Sequence, residues 1–138
     1  MVGGVRGGDG AEEMVTLPER LRKRVEWLAA PDPTWTEEDG RPPTRWAADQ
    51  ALALLERIAH RSVCGATEPV ITATARGGIE LVWDSGEGSE LDVVLPGDAG
   101  SPIELCWVSR ANDGTPMESE RAVEAVEDVA SFVACLPE

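Results

Sequence analysis

The single histidine, His60, and Cys64 stand four residues apart, a spacing that on a helix would bring the imidazole and the thiol to one side. Two such groups could supply half of a zinc site, or a cysteine nucleophile with its base. The predicted helix is ending at these residues, however, and no second pair of ligands accompanies them. The sequence therefore predicts an ordinary histidine at a helix end, with no metal, no cofactor and no catalytic residue.

Two other patterns associated with chemistry are incomplete. The glycine pairs Gly3-Gly4 and Gly7-Gly8 lack the Gly-Lys-Ser or Gly-Lys-Thr that completes a phosphate-binding loop. Carboxylate pairs are frequent, but a chain with 26 acidic residues contains such pairs without any catalytic purpose. No Asp-rich loop has the spacing of a calcium site. We expect a protein that is not an enzyme.

The net charge excludes several classes of partner. The chain of 138 residues has 26 Asp and Glu against 12 Lys and Arg, for a formal net charge of −14. This sign repels phosphate, so direct binding to nucleic acid or to an anionic membrane surface is not expected. No apolar run approaches the roughly 18 residues that span a bilayer. We expect a soluble protein.

The cysteines and the N-terminal residues indicate the cellular compartment in which the protein is expected. Cys64, Cys106 and Cys135 are odd in number and widely spaced, which does not fit a disulfide framework. The first residues lack the apolar segment of a signal peptide and are rich in glycine. We therefore expect a cytoplasmic protein with a flexible leader over residues 1–15 and a single α+β domain over residues 16–138.

Two helices are predicted before the middle of the chain. Thr16 and Glu19 have the spacing of a capping box, and Leu21, Val25 and Leu28 then recur at helical intervals, which predicts a helix over residues 17–30. A proline-rich linker separates it from a second helix over residues 44–61, whose alanines, leucines and Ile58 form one apolar stripe.

After Pro69 the hydrophobic period changes from 3.6 to 2, and turn residues recur at regular intervals. This pattern predicts an antiparallel four-stranded meander over residues 69–75, 79–84, 90–95 and 102–109. Thr115 and Glu118 form another capping box, which predicts a third helix over residues 116–135. The expected fold is a two-layer α+β sandwich with two N-terminal helices and one C-terminal helix.

Alternation along the predicted strands separates two faces. The odd positions are apolar throughout, from Ile79 to Trp107, and should face the helices. The even positions mix carboxylates with aliphatic side chains and should remain uncovered. Residues 62–138 carry 15 acidic and 3 basic residues, whereas residues 1–61 carry 11 and 9. The candidate partner-binding residues are the even positions Glu80, Val82, Asp84, Glu90, Asp92, Val94, Glu104 and Val108.

A set of structural motifs runs through the middle of the sequence: Trp35, Gly40 and the prolines before the second helix, then Pro69 to Ile71, the turn Gly77-Gly78 and Leu81-Val82-Trp83. With these motifs the chain resembles a widespread group of small uncharacterised bacterial proteins. These motifs are structural and cover about half of the chain. The resemblance implies a bacterial source and assigns no catalytic residue. The longer N-terminal helix and the C-terminal helix depart from the group.

The leading hypothesis is a non-enzymatic interaction module that docks a basic protein on its acidic half, as an antitoxin, an immunity protein or a defence-complex accessory would. A second hypothesis is a nucleic-acid mimic that occupies the groove of a DNA- or RNA-binding protein. A third is an enzyme that uses carboxylates alone. A mimic needs carboxylates in continuous rows, whereas a docking face needs carboxylates interleaved with apolar groups.

Overall fold

The computed structural model describes residues 18–30, 42–58, 63, 68–84, 89–110 and 113–134. These residues form an antiparallel sheet and three helices, which confirms the α+β class. The helices are α1 (Glu19–Leu28), α2 (Arg45–Ile58) and α3 (Val126–Ala134). The strands are β1 (Val70–Ala73), β2 (Ile79–Asp84), β3 (Glu90–Leu95), β4 (Ile103–Arg110) and β5 (Pro116–Val123). The leader expected over residues 1–15 and the residues His60, Cys64 and Cys135 lie outside the described residues.

Helix α1 is shorter than the predicted 17–30. It follows Pro18, whose side chain can make no capping hydrogen bond, and its predicted apolar residues Leu21, Val25 and Leu28 are all buried. Thr16, the proposed capping residue, lies outside the described residues.

Helix α2 begins at Arg45, one residue after the predicted start at residue 44. The Thr44 hydroxyl accepts a hydrogen bond from the Ala47 N–H at 3.1 Å, which satisfies one of the free donors at the helix start. The same hydroxyl donates to the carbonyl oxygen of Gly97 at 2.7 Å. Because Gly97 lies between β3 and β4, this one side chain attaches the start of α2 to the sheet. The helix is described to Ile58, so the predicted end at residue 61 is not tested.

The sheet follows chain order, β1-β2-β3-β4-β5, and every neighbouring pair is antiparallel. β2 and β3 have the predicted bounds, β1 is shorter than residues 69–75, and β4 is shifted by one residue at both ends from the predicted 102–109. The prediction of four strands is wrong, because β5 adds a fifth strand at the edge beside β4.

The prediction of a helix over residues 116–135 is wrong for its first half. Residues 116–123 are strand β5, and α3 starts only at Val126. The Asp113 carboxylate accepts a hydrogen bond from the Thr115 N–H at 2.9 Å, and Gly114 has a φ of 87°, so the segment turns into a hairpin instead of starting a helix. Between 116 and 121 the chain has no apolar stripe for a helix to bury, whereas a strand there pairs its backbone with all of β4.

The core lies between the sheet and the helices. The odd positions of β2 and β3 are buried, including Ile79, Leu81 and Trp83, and α2 packs over these two strands. Trp107 on β4 is half-buried and meets Phe132 of α3 edge to face, with ring centroids 6.2 Å apart. The predicted apolar face is therefore confirmed. None of the helices in the described part of the chain is long and apolar enough to cross a membrane.

Candidate functional site: the outer face of the sheet

The side of the sheet opposite the helices carries all of the predicted partner-binding residues. We call it the outer face; it consists of Glu80, Val82, Asp84, Glu90, Asp92, Val94, Glu104, Cys106, Val108, Glu118, Glu120 and Ala122. Each of these side chains is half-buried or exposed, and none is fully buried. These residues share one face because successive side chains in a strand point to opposite sides of the sheet.

The register of the strands interleaves carboxylates with smaller neutral side chains. Glu80 lies opposite Val94, and Val94 in turn lies opposite Glu104 on the next strand. In the neighbouring row Asp92 lies between Val82 and Cys106. Most carboxylates therefore do not face another carboxylate directly, which limits like-charge repulsion across the strands. The pair formed by Asp84 and Glu90 departs from this pattern.

Asp92 lies at the centre of the outer face and is the most perturbed carboxyl group there. Its pKa is raised to about 7, mainly by burial and also by hydrogen bonding with Glu80 and by the charges of Glu80 and Glu90. Its Oδ1 atom is buried and has no hydrogen-bond partner among the described residues. The proton of Asp92 is therefore held far more tightly than that of an ordinary aspartic acid.

β5 adds two carboxylates that the sequence analysis did not assign to this face. Glu118 lies opposite Val108, and Glu120 lies opposite Cys106. In the sequence analysis Glu118 and Glu120 fell within the helix predicted over residues 116–135. The hairpin signal Asn112-Asp113-Gly114 between two segments of alternating polarity could have placed them on the sheet.

Cys106 is held as a thiol. Burial raises its pKa, and so do a hydrogen bond to Glu118 and the charges of Glu118, Glu120 and Asp92. The Sγ atom donates to Glu118 Oε2 at 3.5 Å. The donor atoms of Cys106, Glu118 and Glu120 all lie within 4.8 Å of one another, so these three could hold a metal ion, with the two glutamates exposed to solvent.

A shallow concavity of about 530 Å³ lies over the strands β3, β4 and β5. Its polar walls include Asp92, Glu104 and Glu120, and its apolar walls include Val94 and Ala122. It is open to solvent along much of its extent, unlike the enclosed cavities that bury most of a small ligand. Such a surface suits contact with another macromolecule.

The ion pairs described in the structure lie on the helical side. Arg20 pairs with Glu68, Arg22 with Glu56 at 2.7 Å, Arg45 with Glu26 and Asp49 at 2.9 Å, and Arg57 with Glu127 at 3.2 Å. None of these pairs includes a carboxylate of the outer face. These four arginines are therefore committed to acidic groups elsewhere, and they do not neutralise the negative potential of the outer face.

Comparison with protein-family models, with curated proteins and with solved structures gives no match for this chain.

Proposed function

We propose that this protein is a non-enzymatic interaction module whose outer face docks a basic protein partner. The observation that carries the proposal is the interleaving of carboxylates with Val82, Val94 and Val108 on a face that no described element covers. The carboxylates steer a cationic partner toward the face, and the aliphatic groups supply contact area that loses water on binding. Antitoxins, immunity proteins and accessory subunits of bacterial defence complexes are examples of proteins that bind a basic partner in this way.

The same interleaving favours docking over mimicry of a nucleic acid. A mimic requires acidic groups in continuous rows at the spacing of phosphates, whereas here Val94 separates Glu80 from Glu104 within a row. The open concavity also supports a docking role over a carboxylate-dependent enzyme, because an enzyme site encloses its substrate more completely.

A titration with a cationic probe tests the proposal. Deca-lysine is added to the isotope-labelled protein, and the backbone amide shifts are followed by NMR at low salt. We expect the largest shifts on β2, β3 and β4, and a loss of affinity as salt is raised, because exposed charges are screened.

Matched charge variants separate a specific face from the net charge of the chain. The double variant Glu90→Gln/Glu104→Gln removes two charges from the outer face, and Glu124→Gln/Asp128→Asn removes two exposed charges near α3. We expect the first pair to weaken binding about tenfold and the second about twofold at most. Equal losses would show that only the net charge matters, and the proposal would then be wrong.

A further inference from the structure

Strand β5 leaves one of its edges unpaired within the described part of the chain. The sheet ends at β5, which is 8 residues long, and seven of these residues are exposed while the eighth, Val123, is half-buried. The opposite edge, β1, is only 4 residues long. An edge strand presents a row of backbone N–H and C=O groups that can pair with another chain.

We propose that β5 accepts an extended basic segment of the partner protein as an additional strand. The proposal rests on the docking function above and specifies how the partner reaches the acidic face. Backbone hydrogen bonds along β5 would hold the segment, and its alternate side chains would lie beside the outer face. The surface that binds the partner then includes the free edge as well as the face.

The chemistry of the segment follows from the side chains of β5. Glu118 and Glu120 point to the outer face and are exposed, so a strand added beside them would place every second residue next to a carboxylate. Lys or Arg at these positions would match them. On the other side of the strand, Met117 is 57% exposed and offers an apolar contact to the intervening residues. A segment that alternates basic and apolar residues fits both sides.

A second copy of this chain fits the edge poorly. Side chains that lie opposite each other in antiparallel strands share one side of the sheet. Two β5 strands related by a two-fold axis would therefore place Glu118 opposite Glu120, or Glu120 opposite its own copy, in the two registers that pair seven of the eight residues. Like charges directly opposite destabilise such a pair. A basic partner removes this repulsion, and for that reason we assign the edge to a partner and not to self-association.

The test uses an eight-residue peptide of alternating Lys and Val, with two modified forms. One form is N-methylated at every Lys and the other at every Val, which removes the N–H groups that point to one edge or to the other. Strand addition predicts that one modified peptide loses at least tenfold in affinity for the full-length protein while the other binds like the parent. The amides of β5 should also exchange more slowly with solvent when the parent peptide is bound.

Other results would overturn the inference and leave the proposed function to its own test. Equal binding of all three peptides would show that the peptide docks on the face without joining the sheet. No binding of the parent peptide at low salt would exclude the edge as its site. The outer-face charge variant and its control could bind deca-lysine equally while one N-methylated peptide still loses affinity. That result would support strand addition at β5 and would contradict the proposed role of the outer face.

Charge variants on β5 supply a second measurement. Glu118→Gln/Glu120→Gln changes exposed side chains only, so the fold should persist, and circular dichroism checks this. We expect this pair to weaken binding of the parent peptide about tenfold, and Glu124→Gln/Asp128→Asn to change it less than twofold. If both pairs have the same effect, the edge does not select a basic strand.

Discussion

Asp92 on β3 lies diagonally across the outer face from Glu80 on β2, and the Glu80 carboxyl group raises the pKa of Asp92 both through hydrogen bonding and through its charge. Such a bond requires a proton on one of the two groups, and burial of Asp92 favours that proton there. The central carboxyl group of the acidic face is therefore one whose charge varies around neutral pH.

We expect Asp92→Asn to stabilise the protein most at alkaline pH. The pKa of Asp92 is raised from 3.8 to about 7 in the folded state, so the folded state binds this proton more tightly than the unfolded chain does. Stability contributed by the protonated group is complete below pH 4 and is lost as the pH rises toward 7. The asparagine carries no charge, and its amide can donate to Glu80. Denaturant unfolding should show a gain of about 1 kcal/mol at pH 8 that shrinks as the pH falls toward 4. A gain that is the same at every pH would contradict the raised pKa.

Binding of a cationic probe should depend on the same proton. As the pH rises from 6 to 8 the Asp92 side chain loses its proton and the outer face gains a negative charge. Deca-lysine should therefore bind about two- to threefold more tightly at pH 8 than at pH 6. In Asp92→Asn this pH dependence should be reduced. The comparison is made at constant ionic strength, and an unchanged dependence in the variant would assign it to another group.

Thr44→Val should destabilise the protein by about 1 to 2 kcal/mol. The substitution keeps the shape of the side chain but removes the hydroxyl that accepts from the Ala47 N–H and donates to the Gly97 carbonyl. Thr44→Ser retains the hydroxyl and should lose only a few tenths of a kcal/mol. Thermal unfolding of the two variants measures the difference, and similar losses in both would show that the hydroxyl has no special role.

Gly78→Ala should be more damaging than Gly114→Ala. A Cβ atom at Gly78 would overlap the carbonyl oxygen of Leu95, and backbone on the neighbouring strand cannot easily move away. We expect a loss of about 2 kcal/mol or more. At Gly114 a Cβ atom meets nothing within 4 Å, and only the positive φ of 87° opposes the substitution, at about 1 kcal/mol. Chemical denaturation ranks the two variants; the reverse order would contradict the close packing of β2 against β3.

Phe132→Ala should loosen the attachment of α3 and β5. Phe132 meets Trp107 edge to face, and the Arg121 guanidinium lies 5.1 Å from the centre of its ring. Because Phe132 is only half-buried, we expect a loss of about 2 kcal/mol, below the usual cost for a fully buried phenylalanine. Ser131→Ala, on the exposed neighbouring position, should be close to neutral. Near-ultraviolet circular dichroism should report the altered Trp107 environment in the first variant alone.

The strands and the two faces of the sheet were predictable because their signal is local. Alternation between Ile79 and Trp83 needs only adjacent residues to be read, and the turns around Gly78 separate one strand from the next. The strand at 116–123 was not predicted, since Thr115 and Glu118 also fit the start of a helix. Pairing with β4 favours the strand over the helix, and this pairing is a tertiary interaction that the local sequence pattern does not reveal.

The candidate site also has features that were predictable from the sequence and features that were not. The eight predicted residues from Glu80 to Val108 were placed on one face by the period of two alone. Glu118 and Glu120 could not be placed on the outer face, because the sequence analysis did not predict strand β5. The raised pKa of Asp92 depended on the register, which determines that Glu80 and Glu90 are its neighbours. A sequence pattern does not specify which residues lie opposite each other until the loops that join the strands are fixed.

The order of the strands in the sheet has a consequence for synthesis on the ribosome. Because each strand pairs with the one just before it in the chain, every pairing closes a short loop at small entropic cost. Translation extends a chain by about 5 to 20 residues per second, so β4 is exposed to the cell as a temporary terminus of the sheet before β5 has been made. During that interval the backbone groups on the free side of β4 have no strand beside them, and the arrival of β5 then satisfies them.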